Sequence, residues 1–184
     1  NDPNTINSIT SCNKAFNQGK SNLISAKIVT SIDPNDKIGF RSPSGSKFFS
    51  EDKNNFTYVI NFENKATATA SAQEVFVTDT LDKSAFDISS FKADYLKIGD
   101  KIIQAPYNVQ NHTWEIDMRP DMNLITKVQL SLDTTTGVAL WYFKTLDPIT
   151  YKFPTDPLAG FLPPNDSTCV GQGSFCFTII LKDS

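Results

Sequence analysis

The sequence has little of what catalytic and metal-binding sites usually draw on. Its 184 residues include one histidine, His112, and three cysteines, Cys12, Cys169 and Cys176. Nucleophilic triads and metal hydrolases both lean on histidine, so a single one is a poor start for either. No Cys-x-x-Cys occurs, which removes the usual structural zinc sites. Gly-x-Ser-x-Gly, P-loop and Gly-x-Gly-x-x-Gly motifs are also absent. No apolar run approaches the roughly 20 residues of a spanning helix. Lys and Arg never cluster beyond a pair, and the net charge is -3, so a nucleic-acid or anionic-membrane surface is not expected. A carboxylate-pair glycosidase needs only two converging acids, but nothing among the 20 Asp and Glu residues singles out a pair. The expectation is a protein that is not an enzyme and carries no cofactor, bound calcium excepted.

What is present suits a pleated sheet. Fourteen Phe, five Tyr and two Trp supply a bulky core. Asn, Ser and Thr number 50, or 27% of the chain, and favour turns and half-buried strands. No stretch keeps a helical period over three turns; the one helix-like window, 83–90, is too short and poorly patterned. Alternation marks strands at 56–62, 74–79, 113–117, 124–132, 138–144 and 175–181, with weaker candidates at 91–98 and 102–104. Five of the ten prolines fall in a long loop between Asp147 and Thr168. About eight strands with turn signals between them predict an all-β, antiparallel immunoglobulin-like β-sandwich. The domain organisation expected is an N-terminal arm or strand over 1–30, a linker over 31–55 in which Pro34 marks a turn, and the sandwich over 56–184.

Cysteines and sequons bear on compartment. Cys169 and Cys176 flank a Gly-rich stretch that could turn and bridge them; the alternative is a bridge from Cys12 to one of them, and an odd count leaves one thiol over. Three N-x-S/T tripeptides begin at Asn55, Asn111 and Asn165. Accidental tripeptides are expected in a chain so rich in Asn and Thr, but in a eukaryotic source Asn55 and Asn111, which precede strand-like runs, are the expected glycosylation sites. The opening Asn1-Asp2-Pro3-Asn4 fits a processed chain or an excised fragment. The expected location is extracellular or at the cell surface.

Several phrases occur together: Ser31-Ile32-Asp33-Pro34-Asn35-Asp36-Lys37, Tyr58-Val59-Ile60-Asn61-Phe62-Glu63-Asn64, Thr78-Asp79-Thr80-Leu81-Asp82, and Ile98-Gly99-Asp100. Thr136-Gly137 follows, with Trp141, Phe143 and Thr145-Leu146-Asp147. The set closes with Pro154-Thr155-Asp156-Pro157-Leu158-Ala159-Gly160-Phe161-Leu162-Pro163-Pro164-Asn165 and Phe177-Thr178-Ile179. Over about residues 31–181 the chain resembles a repeat module of unknown function from large bacterial cell-surface proteins, often found near immunoglobulin-like conserved-repeat domains. The resemblance implies an extracellular sandwich in a multi-domain or assembled context, without catalytic activity. The cysteines, the sequons and residues 1–30 depart from it.

Two kinds of binding residue remain. Asp33, Asn35 and Asp36 offer hard oxygen ligands for calcium, and Asp156, Asn165 and Asp166 offer more, but neither group has calcium-loop spacing, so Asx-turns are the favoured reading. Tyr95, Tyr107, Trp114, Trp141 and Tyr142 are the rings that could stack on sugars, with Trp141 expected in the core. The functional expectation is a structural or adhesive module of an extracellular surface protein or filament, whose partners are neighbouring domains or identical subunits. Its arm would pair through Leu23, Ile24, Ala26 and Ile28, with Cys12 placed to lock the junction. The alternative is a lectin-like carbohydrate-binding module, which requires two or more solvent-facing rings.

Overall fold

The computed structural model describes residues 35–39 and 55–182. Cys12, Asp33 and the arm residues Leu23, Ile24, Ala26 and Ile28 lie outside the described residues. The described chain forms nine strands and no helix: β1 (Asn35–Gly39), β2 (Asn55–Glu63), β3 (Glu74–Thr80), β4 (Phe86–Ile98), β5 (Lys101–Gln104), β6 (His112–Asp117), β7 (Ile125–Asp133), β8 (Val138–Leu146) and β9 (Gln172–Leu181). All pair antiparallel in two sheets, ordered β1-β2-β9-β4-β5 and β3-β8-β7-β6. This is an antiparallel β-sandwich.

Period-2 alternation decides which side chains go inside. In β2, Phe56, Ile60 and Phe62 are buried; in β7, Val128, Leu130 and Leu132; in β9, Phe175, Phe177 and Ile179. The central strands β8 and β9 meet across the core, where Trp141 stacks on Phe175 with centroids 4.0 Å apart and planes 20° from parallel. Phe91 and Phe177 extend the stack, at 4.9 Å. Gly173 belongs to the same packing: a Cβ there would lie 2.2 Å from the Phe62 ring, so only glycine lets that ring close over β9.

Two differences from the sequence reading have physical causes. Residues 35–39, assigned to the linker 31–55, form the edge strand β1. Its composition is polar because an edge strand has one paired side and little core to face. Lys37 points inward, donates to Asp79 of β3 at 2.6 Å and lies 4.4 Å from the Tyr58 ring, closing the β1/β3 flank with an inward charge pair. The helix-like window 83–90 runs instead into β4, a 13-residue strand whose register on β9 shifts between Asp87 and Lys92. That irregularity hides its alternation from the sequence.

The Pro-rich loop caps one end of the sandwich. Phe161 and Leu162 are fully buried, and Leu162 bridges Ala72. Gly160 approaches Ala72 so closely that a Cβ would sit 2.4 Å from the Ala72 carbonyl oxygen. The buried Asn64 amide donates to the Ala70 and Leu162 carbonyls at 2.8 and 3.0 Å. Truncating Phe175→Ala should therefore cost about 3–5 kcal/mol, the usual range for a buried ring. Urea unfolding checks it, with half-buried Ser174→Ala as a control expected to stay within about 0.5 kcal/mol of the parent.

Candidate functional site

The face of the four-stranded sheet turned away from the core carries an ordered row of side chains. Register pairs Phe76 with Tyr142, Tyr142 with Gln129, and Gln129 with Thr113, so one line crosses β3, β8, β7 and β6. Phe76 is 57% exposed and stacks on Tyr142, centroids 4.4 Å apart and planes 11° from parallel. The Tyr142 hydroxyl donates to Glu74, and burial followed by that bond pushes its pKa up to about 12. Beside this pair lies an open hollow of about 400 Å³, bordered by Asn111, Thr113, Gln129, Ser131, Leu140 and Tyr142. Asn111 extends the ladder, its Oδ1 accepting from the Leu132 amide at 3.1 Å.

The other hollows differ in chemistry. One of about 410 Å³ at the end of the five-stranded sheet is bordered by the charged Asp36, Glu63 and Lys97. Another of about 450 Å³ lies against the Pro-rich loop and includes Asp147 and Asp156. These acids serve their own turns: Asp147 accepts from the Ile149 and Thr150 amides, and Asp156 from the Leu158 amide. Around them Ile149, Tyr151, Phe153 and Leu158 are exposed, an apolar surface at that end of the domain.

The calcium candidates are divided by this geometry. Asn35 and Asp36 are successive residues of β1, so their side chains leave opposite faces and cannot converge as neighbours. Asp166 accepts from the amide and hydroxyl of Thr168, and the Asn165 amide donates to Glu63 at 3.1 Å. Among the described residues no three His, Cys, Asp or Glu side chains gather in a metal-holding group.

The aromatic candidates also separate. Trp141 and Trp114 are buried, whereas Tyr107 is 89% exposed and stands in the β5–β6 loop. Among the described residues, Tyr142 is the candidate that stacks on an exposed ring, and that ring, Phe76, was not among the candidates. The signal for it lay in Val75 and Val77, whose burial sends Phe76 to the opposite face.

The Cys169–Cys176 bridge is not formed; both thiols are free. The turn closes where the Gln172 amide donates to the Cys169 carbonyl, and Cys176 lies four residues farther along β9. Four extended residues span about 13 Å, beyond the roughly 7 Å between Cα atoms that a disulfide tolerates. Cys176 is buried between Val59 and Tyr95 on the outer side of its sheet, and burial, then Asp94, pushes its thiol up to about 11.

Three outcomes follow from these environments. Iodoacetamide on the native protein should label Cys169 and leave Cys176 unmodified until denaturant is added, as read by peptide mass. If the chain is expressed through a eukaryotic secretory pathway, glycan mass should appear at the exposed Asn55 and Asn111 but not at Asn165, whose amide is engaged with Glu63. Hydrogen bonds from Ser84, Arg119, Thr136, Thr150 and Thr168 lower the carboxyls of Asp82, Asp117, Asp133, Asp147 and Asp166, with Asp117 down to about 2. Folded values below the unfolded value mean stability fully present above about pH 4 and lost as the pH falls towards 2. The melting temperature should thus decline over that window; a flat profile is the contrary result.

Comparison with known families gives one match: residues 33–119 fit a domain of unknown function (DUF7619). The match spans β1 to β6, less than half of the chain, and omits the strands β7, β8 and β9 that complete both sheets. No curated protein and no solved structure matches the chain.

Proposed function

We propose that the chain is a non-catalytic structural or adhesive module of an extracellular surface protein or filament, joining neighbouring domains or identical subunits through a strand edge and its N-terminal arm. The observation that carries this reading is the outer rim of β3. This seven-residue strand ends its sheet, with no described strand beyond it and Phe76 exposed at its third position. An added strand would gain main-chain hydrogen bonds along that rim and set a side chain beside the Phe76 ring. The other edges are blunted more heavily: β1 turns Lys37 inward, β5 has four residues, and β6 exposes Glu115 and Asp117, whereas the exposed Glu74 of β3 is engaged with the Tyr142 hydroxyl. The arm segment around Leu23, Ile24, Ala26 and Ile28 has the alternation of a strand able to fill the vacancy.

Compartment and the non-catalytic reading have their own support. Asn55 and Asn111 are exposed, as glycan attachment requires, and the resemblance to cell-surface repeat modules points the same way. Where carboxyls depart from their ordinary value they move down, opposite to the raised value of a glycosidase acid. The exposed apolar end formed by Ile149, Tyr151, Phe153 and Leu158 gives an adjoining domain a second surface.

Removing residues 1–30 should leave the melting temperature and circular dichroism close to those of the full chain while abolishing self-association in sedimentation velocity and in electron micrographs. Phe76→Lys should keep the fold and weaken assembly about tenfold, equivalent to about 1.4 kcal/mol. A folded truncated chain that still polymerises would reject the reading.

A further inference from the structure

We propose that the hollow on the outer face of the four-stranded sheet is a binding site for an uncharged oligosaccharide, with Tyr142 as its stacking wall and Thr113, Gln129 and Ser131 as its hydrogen-bonding floor. The lining combines the two things a neutral sugar needs. A pyranose presents a face of C–H groups, which packs on an aromatic ring, and a rim of hydroxyls that both donate and accept. Tyr142 is held for that role. Phe76 supports it from the β3 side and its hydroxyl is tied to Glu74, so the side toward Gln129 borders the hollow with little freedom left to lose.

The floor is unpartnered. Thr113, Gln129 and Ser131 are exposed, and their side chains have no hydrogen-bond partner among the described residues. Asn111 uses its Oδ1 on Leu132 and keeps its amide group beside them. Leu140 supplies an apolar patch between Tyr142 and Ser131. The row from Tyr142 through Gln129 to Thr113 crosses three strands spaced about 4.8 Å apart, the scale of one sugar ring per strand. A volume of about 400 Å³ lies within the range of small-ligand clefts.

Charge decides the class of sugar. No Asp, Glu, Lys or Arg borders the hollow, and His112 is the basic residue in its lining. The nearest charged rung, Glu74, Lys144, Lys127 and Glu115, is of mixed sign, and Lys127 is paired with Glu115 at 3.4 Å. The Lys144 ammonium, 5.9 Å from the Tyr142 ring centre, is the one cation close to the wall among the described residues, while the lining itself offers a sugar amides, hydroxyls, an imidazole, Leu140 and a ring. The two hollows described above lack this combination, one being charged and the other lined by acids that already serve their own turns. The site is independent of the assembly reading, because a strand added to β3 lies beyond Phe76 and leaves β6, β7 and β8 open.

The test uses the full chain, isotope-labelled and made in bacteria so that Asn111 carries no glycan. Amide spectra are recorded with cellohexaose, xylohexaose, mannohexaose, maltohexaose and chitohexaose, and with a heparin hexasaccharide as the charged probe, each up to about 10 mM. At least one neutral probe should shift the amides of 111–113, 129–131 and 140–142 in a saturable way, and heparin should not. Thr113→Val and Gln129→Ala, both at exposed positions, should each weaken that binding about fivefold without moving the melting temperature, as expected for one lost hydrogen bond. Self-association of the full chain is followed in the same samples, so that a failure here and a failure of assembly are read separately. The proposal is overturned if no neutral probe shifts those amides, if the shifts map elsewhere, if heparin binds as well as the best neutral probe, or if the two variants bind unchanged.

Discussion

The stacking of Trp141 on Phe175 is the contact on which the rest of the sandwich depends, because it joins the central strand of one sheet to the central strand of the other. β8 lies between β3 and β7, and β9 lies between β2 and β4. Both come from about the last quarter of the chain, so β3 has no partner until β8 arrives, and β2, β4 and β7, each already paired locally, gain their second neighbour only from β8 or β9. Such non-local pairing closes long loops before it is rewarded, which places folding on the slow side for a domain of this size. The family match to residues 33–119 stops short of these strands, so the matched part alone holds the flanks of the sandwich without its centre.

The end of the domain is settled by a different kind of contact. Asn64 has its side chain fully buried, where an unpaired amide would be costly, and both carbonyls it reaches belong to irregular chain. Its backbone adds two more ties, donating to the Gly171 carbonyl and accepting from the Asn165 amide. One residue after β2 therefore fixes the C-terminal part of the Pro-rich loop against the sheet. Phe161 can then pack on Phe143 at 5.8 Å as though it came from a strand. Prolines and glycines make that stretch read as a connection, yet it supplies two of the most buried residues in the molecule.

How much of this was legible follows from what alternation reports. It reports which face a residue takes, so β2, β3, β7 and β9 could be read with their buried sides correct. It fails where a strand has only one useful face or a break in register: β1 is too polar to alternate, and the early part of β4 carries a bulge. Nor does it give neighbours. Phe76 and Tyr142 were each readable as residues of strands, but their stacking depends on β3 lying against β8, a pairing between segments more than 60 residues apart. The Asp-rich phrases, for which Asx-turns were the favoured reading, divide: Asp166 accepts from the amide and hydroxyl of Thr168 in that manner. Asn35 and Asp36 instead lie in an extended strand, which sends their side chains to opposite faces.

The outer surface then poses a physical question that the core does not. A phenylalanine more than half exposed on an edge strand forgoes the burial that its hydrophobicity favours and invites pairing with other chains. Three of the four edges carry a device against this: an inward lysine, a very short strand, or exposed carboxylates. On β3 the two acids are already engaged, Glu74 with the Tyr142 hydroxyl and Asp79 with Lys37 across the flank, which leaves the Phe76 ring itself uncovered. Stacking on Tyr142 recovers part of the lost burial and orients that ring, which makes Phe76 useful even in an isolated domain. The remaining exposed surface has no intramolecular return among the described residues. That exposed ring is where the two proposals meet, a strand at the rim and a sugar over the sheet, on one row of side chains.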